Sequence, residues 1–246
     1  MSRVPRKIHV QLTLDHARKP TGRGGWRPGA GRPRGRTKVG HDRREHVAPR
    51  YPQHVTMRIV AGVPSLRERP LIDLVRACIA RSQRDTFRIV HFNVESNHIH
   101  LIIETTSNVA RANGMRGLEV SLARQLNAAV GRRGELFSGR YHARALKTPR
   151  EVRNAIRYVL NNALHHDPLI GDCFGDNWID PCSSAAWFDG WARPIEPDTR
   201  WKRELLDQPA PTATPRSWLL SVGWRRHGAI RFDEVPGSKA ERAFAR

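Results

Sequence analysis

Cysteine, acidic residues and long apolar runs are what this chain has little of. It has 3 cysteines in 246 residues, Cys78, Cys173 and Cys182. An odd count without CxxC spacing excludes a disulfide framework and the common zinc knuckles and points to a reducing compartment. His165-His166 with Cys173 and Cys182 also lacks the spacing of a zinc ribbon. No stretch reaches the roughly 18–20 apolar residues of a membrane span. The basic N-terminal stretch lacks the apolar core of a signal peptide. Acidic residues number 23 against 43 Lys and Arg, a formal net charge of +20. Such a field calls for a polyanionic partner, nucleic acid being the commonest. No helicase-type phosphate loop and no helix-turn-helix pattern accompany it.

The positive charge is unevenly spread. Residues 1–50 hold 14 Lys and Arg against 3 Asp and Glu, a net +11, among many Gly and Pro and little apolar periodicity. This zone cannot bury a core and is expected to be a flexible basic arm. Within it Gly31-Arg32-Pro33-Arg34-Gly35-Arg36 resembles an AT-hook core, which would lay Arg32, Arg34 and Arg36 into a narrow A·T minor groove. A tail without groove specificity is the alternative.

Residues 51–168 carry the periodic patterns. Strands are expected at 54–60, 87–94, 98–104 and 140–147, and helices at 71–82, 109–132 and 148–165. The helix at 109–132 could break near Asn113-Gly114. Glu95-Ser96-Asn97 makes a tight turn, so the second and third strands form a hairpin. Thr148-Pro149-Arg150-Glu151 has the N-cap Thr, first-turn Pro and capping-box Glu of a helix start. The order β-α-β-β-α-β-α predicts an α+β fold, a ferredoxin-like antiparallel sheet covered by helices. Residues 169–246 form a C-terminal extension with a linker at 209–215 and one short amphipathic helix at 217–228 that could contact DNA.

Two features bear on chemistry. His98 and His100 lie on one face of a strand, because strand side chains alternate, while Ile99, Leu101 and Ile103 point into the core. Two such imidazoles can bind one metal ion, or can simply line a polar strand face. On the helix at 148–165, Val152, Ala155, Ile156, Val159 and Ala163 form an apolar stripe. Tyr158 and Asn162 sit beside it at i and i+4, stacked on one face. Tyr158 could equally be a packing tyrosine. His54 could neighbour His98 as a structural histidine. Arg111, Arg116, Arg124, Arg132 and Arg133 could track a phosphate backbone or form a solvated face.

Together the His98-Ile99-His100 strand, the segment Leu136-Phe137-Ser138-Gly139-Arg140-Tyr141 and the helix segment Arg157-Tyr158-Val159-Leu160-Asn161-Asn162 resemble the REP-associated tyrosine transposases, of the single-tyrosine HUH transposase superfamily. The resemblance covers roughly 51–191, including Asp180-Pro181-Cys182-Ser183-Ser184. It implies an enzyme that cleaves and rejoins single-stranded, hairpin or palindromic DNA through a 5′-phosphotyrosine. His98, His100 and Asn162 match the ligands of a divalent metal, Mg²⁺ or Mn²⁺, and Tyr158 matches the nucleophile. Arg140 and Tyr141 are candidate DNA contacts, with Tyr141 either packing or stacking on a base. Ala163 departs from the family, which often has proline there. The expected partner is DNA, without membrane or small-molecule substrate, and the protein is a monomer or homodimer. The expected location is the bacterial cytoplasm, on the nucleoid when bound. A domesticated, non-cleaving DNA-binding protein of the same fold is the alternative.

Overall fold

In the computed structural model, residues 45–166 and 177–236 are described, without the side chains of residues 165 and 166. Four strands, β1 (Gln53–Arg58), β2 (Phe87–Val94), β3 (His98–Thr105) and β4 (His142–Ala145), alternate with three long helices, α1 (Leu71–Ser82), α2 (Asn108–Ala129) and α3 (Pro149–His166). The sheet is antiparallel throughout, in the order β2-β3-β1-β4. This is the ferredoxin-like arrangement expected from the element order. After α3 come α4 (Arg200–Leu206), α5 (Trp218–Ser221) and short 3₁₀ turns at Ala185–Trp187 and Gly223–His227.

The pleat sorts the strand side chains onto two cores. Val55, Met57, Ile99, Leu101 and Ile103 pack against Val75, Ile79, Met115, Leu118 and Leu122 from α1 and α2. Ile102 and Val90 face the other way, against Val152, Ile156, Val159 and Leu160 of α3. Each fully buried side chain of this size contributes about 1.5–3 kcal/mol relative to exposure. Both cores are needed, because the sheet is covered on both sides. A register shift between Ile89 and His91 changes which positions of β2 face the first core, from Phe87 and Ile89 before it to Phe92 and Val94 after it; such bulges re-aim side chains.

The helix ends follow local chemistry. At the start of α3, Thr148 Oγ1 accepts from Glu151 N at 3.2 Å, and Glu151 Oε2 accepts from Thr148 N at 3.0 Å. This is the reciprocal capping box. Ser107 caps α2 by accepting from Ala110 N at 3.0 Å. The break expected near Asn113-Gly114 is absent, and α2 runs unbroken across it. Gly114 serves packing instead: a Cβ there would lie 2.1 Å from the Phe87 ring. Conversely, α3 is interrupted at Asn161, whose φ of −108° and ψ of 17° leave the helical region.

Two stretches read as appendages are tied to the sheet domain. Val47 is buried, and its N–H donates to Asn108 Oδ1 at 3.2 Å. Among the described residues of the C-terminal stretch, Phe188, Leu219, Leu220, Trp224, Ile230 and Phe232 enter the second core. The amphipathic helix expected at 217–228 is two short pieces, α5 and the turn Gly223–His227, with Trp224 buried beneath them. Cys182 and Ser184 bond to the backbone of edge strand β2, through Val94 N to Cys182 O and Ser184 N to Phe92 O, both at 2.9 Å. Ala213 N adds a bond to Ile89 O at 2.8 Å, so the linker expected at 209–215 lies against the same edge. A covered edge cannot template strand pairing with another chain. No helix among the described residues is long and apolar enough to cross a membrane.

Candidate active site

His98 and His100 lie on the sheet face that α3 covers. Their register partners on β1 are Arg58 and Thr56. The rings stand edge to face with centroids 4.8 Å apart. His98 is half-buried and its Nδ1 lies 2.8 Å from Asn97 Oδ1. A donor to that carbonyl carries its proton on Nδ1, so the lone pair is on Nε2. His100 is buried, and its Nδ1 lies 3.1 Å from Thr56 Oγ1 and 3.2 Å from His54 Nε2. Both neighbours can accept a proton from Nδ1, and both fix the ring plane, as outer partners of a ligand histidine do.

Tyr158 comes from the facing helix. Its half-buried ring meets the His100 ring edge-on at 5.1 Å between centroids and the His54 ring at 5.7 Å. Burial raises the Tyr158 pKa above its ordinary value, and the charge of Glu95 raises it further. The phenol is therefore held protonated more firmly than in water. His54 is pushed the other way, to about 4, by burial first and then by the positive surroundings of His142 and Arg144.

Asn162 follows Tyr158 by four residues and is fully buried. Its Nδ2 donates to Glu95 Oε1 at 2.9 Å, and its Oδ1 is buried without a hydrogen-bond partner among the described residues. An orphaned amide oxygen is costly unless something electropositive meets it. Among the described residues no three His, Cys, Asp or Glu side chains are arranged for a metal ion. Asn162 Oδ1 and the two imidazoles would give a metal a mixed N/O donor set that suits Mg²⁺ or Mn²⁺. The donor set fits.

Sequence reasoning missed Glu95 and its supports. The tight turn is present, with Glu95 N donating to His98 O at 2.9 Å. The carboxylate does more than close it. It fixes the Asn162 amide and lies 3.7 Å from Arg67. Arg67 in turn forms a two-pronged bond with fully buried Asp180, at 3.1 and 2.9 Å. His54, expected beside His98, instead bonds His100; the alternation of β1 against β3 could have suggested it.

Tyr141 is half-buried and packs against the first core, and Arg140 is exposed. Arg111 is buried, donating to Gln53 Oε1 at 2.6 Å and to Glu45 O at 3.2 Å, so it cannot track a backbone on the surface. Arg32, Arg34 and Arg36 lie outside the described residues, as do His165 and His166 side chains and Cys173.

No curated protein matches the chain. A solved structure of a REP-associated tyrosine transposase bound to a REP hairpin aligns with 18% identity and a TM-score of 0.43, covering 52% of this chain and 75% of that one. A family model described as "Transposase IS200 like" matches residues 54–162. That stretch begins at His54 and ends at Asn162, and the segment holding the histidine pair and the tyrosine thus matches the IS200-like transposases.

Proposed function

We propose that this protein is a metal-dependent DNA transposase that cuts and rejoins single-stranded DNA at hairpins or palindromes. Tyr158 is the nucleophile, and His98, His100 and Asn162 hold a divalent cation. The observation that carries the reading is the placement of the Tyr158 phenol against His100, one helical turn from a buried amide oxygen lacking a partner. The match to the IS200-like transposases supports it, as does the net charge of +20 for a polyanionic substrate.

The step is a phosphoryl transfer. The Tyr158 oxygen attacks the scissile phosphorus, the phosphorus–oxygen bond to the 3′ side breaks, and a 5′-phosphotyrosine forms. The phenol proton leaves, and the departing 3′ oxygen gains one. A bound divalent cation supplies Lewis-acid polarisation of the phosphate. The chain's own part is orientation: His54 and Thr56 set the His100 ring, Asn97 sets the His98 ring, and Glu95 sets the Asn162 amide. The phosphotyrosine keeps the phosphodiester's energy, so a second 3′-hydroxyl can reverse the step and join new ends.

The test is covalent capture. The protein is mixed with hairpin oligonucleotides and Mn²⁺ and run on a denaturing gel. The expected result is an adduct lost with Tyr158→Phe and with EDTA. An adduct that survives Tyr158→Phe, or forms fully in EDTA, refutes the mechanism. DNA binding with no adduct under any condition would favour the non-cleaving alternative.

A further inference from the structure

The break in α3 falls between the two residues on which the proposed chemistry depends. Tyr158 lies before Asn161 and Asn162 after it. Residues 150–166 contain neither proline nor glycine, and sharp helix breaks need an identifiable cause. Here the cause lies outside the helix. Asn161 is buried, and its Nδ2 donates to Arg231 O at 3.0 Å and to Glu234 O at 3.2 Å. A side-chain amide engaged by two backbone carbonyls of a distant segment stabilises its own departure from helical geometry.

That segment, residues 228–234, is anchored along one ridge of α3. Arg153 Nε donates to Gly228 O at 2.9 Å and Nη2 to Ala229 O at 2.8 Å. The Glu234 carboxylate receives both prongs of Arg153 at 3.0 and 2.9 Å, lies 3.8 Å from Arg157, and accepts from Arg231 N at 2.9 Å. Arg153, Arg157 and Asn161 are spaced i, i+4 and i+8, so they form a single row on the helix. Tyr158 and Asn162 form the adjacent row, each one residue on. The strap therefore grips the helix at the residues that immediately precede the nucleophile and the amide ligand. Arg153 and Arg157 would repel each other on this row, and Glu234 is the carboxylate that meets both.

We propose that residues 228–234 are a positioning strap: by bonding Asn161 and pairing with Arg153 and Arg157 through Glu234, they hold the break that sets Asn162 relative to Tyr158. Asn161 and Glu234 are positioning residues, since neither is one of the proposed metal ligands or the nucleophile. The inference rests on the proposed function for its consequence, but not for the break itself.

The full chain is compared with Glu234→Gln, nearly isosteric and uncharged, and with Asn161→Ala. The first readout needs no metal. Backbone amide exchange across residues 158–164 is expected to rise at least tenfold in both variants, while exchange near Val152 stays at the wild-type rate. Unchanged protection at 158–164 overturns the strap. The second readout is Mn²⁺ binding by calorimetry, expected to weaken tenfold or more in both variants, with Glu234→Asp restoring part of it. A lowered melting temperature with unchanged Mn²⁺ affinity would assign the strap to stability alone and overturn the positioning role. If the wild-type protein itself binds no Mn²⁺ and forms no adduct, the metal-dependent function falls, and the exchange experiment still decides whether the strap holds the break.

Discussion

Replacing Asp180 by alanine should be among the most damaging single changes outside the histidine–tyrosine cluster. Its carboxylate is fully buried and accepts four bonds: two from Arg67 at 3.1 and 2.9 Å, one from Asn93 Nδ2 at 2.7 Å and one from Cys182 N at 2.9 Å. Removing one member of a buried ion pair costs roughly 3–5 kcal/mol, because the other charge is left uncompensated. Two features place Asp180→Ala toward the low end. Arg67 keeps its bond to Val94 O at 2.9 Å and its approach to Glu95 at 3.7 Å, and its side chain is 26% exposed. The donors of Asn93 and Cys182 are orphaned as well, each costing on the order of 1 kcal/mol or more. A net loss of about 5 kcal/mol results, which for a domain of this size lowers the melting temperature by roughly 10–20 °C. Asp180→Asn keeps the shape but loses the charge, and should fall about halfway. Urea unfolding, followed by tryptophan fluorescence and far-UV circular dichroism, measures both. A loss under about 1 kcal/mol for Asp180→Ala would refute the claim that this carboxylate holds the 180–184 segment to the sheet.

Three further outcomes are expected. His91 is held at a pKa of about 4 by burial, which the nearby Asp189 only partly offsets. Its folded pKa lies below the unfolded value of about 6.5, so the unfolded chain binds the proton first. Stability is lost as pH falls from about 6.5 to about 4, by roughly 3 kcal/mol in all. Unfolding of His91→Leu should be correspondingly less acid-sensitive, and parallel pH profiles would sink this account. Glu95→Gln should weaken Mn²⁺ binding about 10–100-fold, the usual cost of losing an outer partner, measured by calorimetry; unchanged affinity would mean that the Asn162 amide needs no anchor. Deleting residues 1–44, which carry 13 Lys and Arg against 2 Asp and Glu, should flatten the log–log salt dependence of DNA binding by about 0.7–0.9 for each phosphate the arm neutralises. It should leave adduct formation at saturating DNA intact, and an unchanged slope would mean that the arm does not touch DNA.

What the sequence made legible was whatever depends on local periodicity. The strands β2 and β3, the helix α1 and the capping box of α3 fall where alternation, helical spacing and cap chemistry put them. So does the division of β3 into an Ile-Leu-Ile face and a His-His face. What escaped depends on which distant segment arrives at a residue. Gly114 suggested a helix break because glycine weakens helices, yet its missing side chain makes room for Phe87. Asn161 suggested nothing, because the cause of its break lies 70 residues away at Arg231. Arg111 carries the charge of a surface contact but is drawn inward by Gln53. Glu95 looked like a turn residue and is one; its second task exists only because α3 brings Asn162 to it.

The same dependence explains why the C-terminal stretch belongs with the site although it holds none of the proposed ligands. Asp180 fixes Arg67, Arg67 lies against Glu95, and Glu95 fixes the Asn162 amide, an alternation of charges running from the 180–184 segment to an amide on the tyrosine helix. Each member limits the freedom of the next: a carboxylate flanked by a guanidinium and an amide N–H cannot rotate without losing one of them. An asparagine alone would be indifferent between its two orientations, since oxygen and nitrogen are nearly the same size. With Glu95 as its neighbour only one orientation avoids setting oxygen against oxygen, so the amide presents Oδ1 away from the carboxylate. The strap at 228–234 fixes the backbone from which this side chain departs, and the Asp180 relay fixes its rotation. For the ligand role proposed for Asn162, a weak oxygen donor on a helix, both constraints are needed.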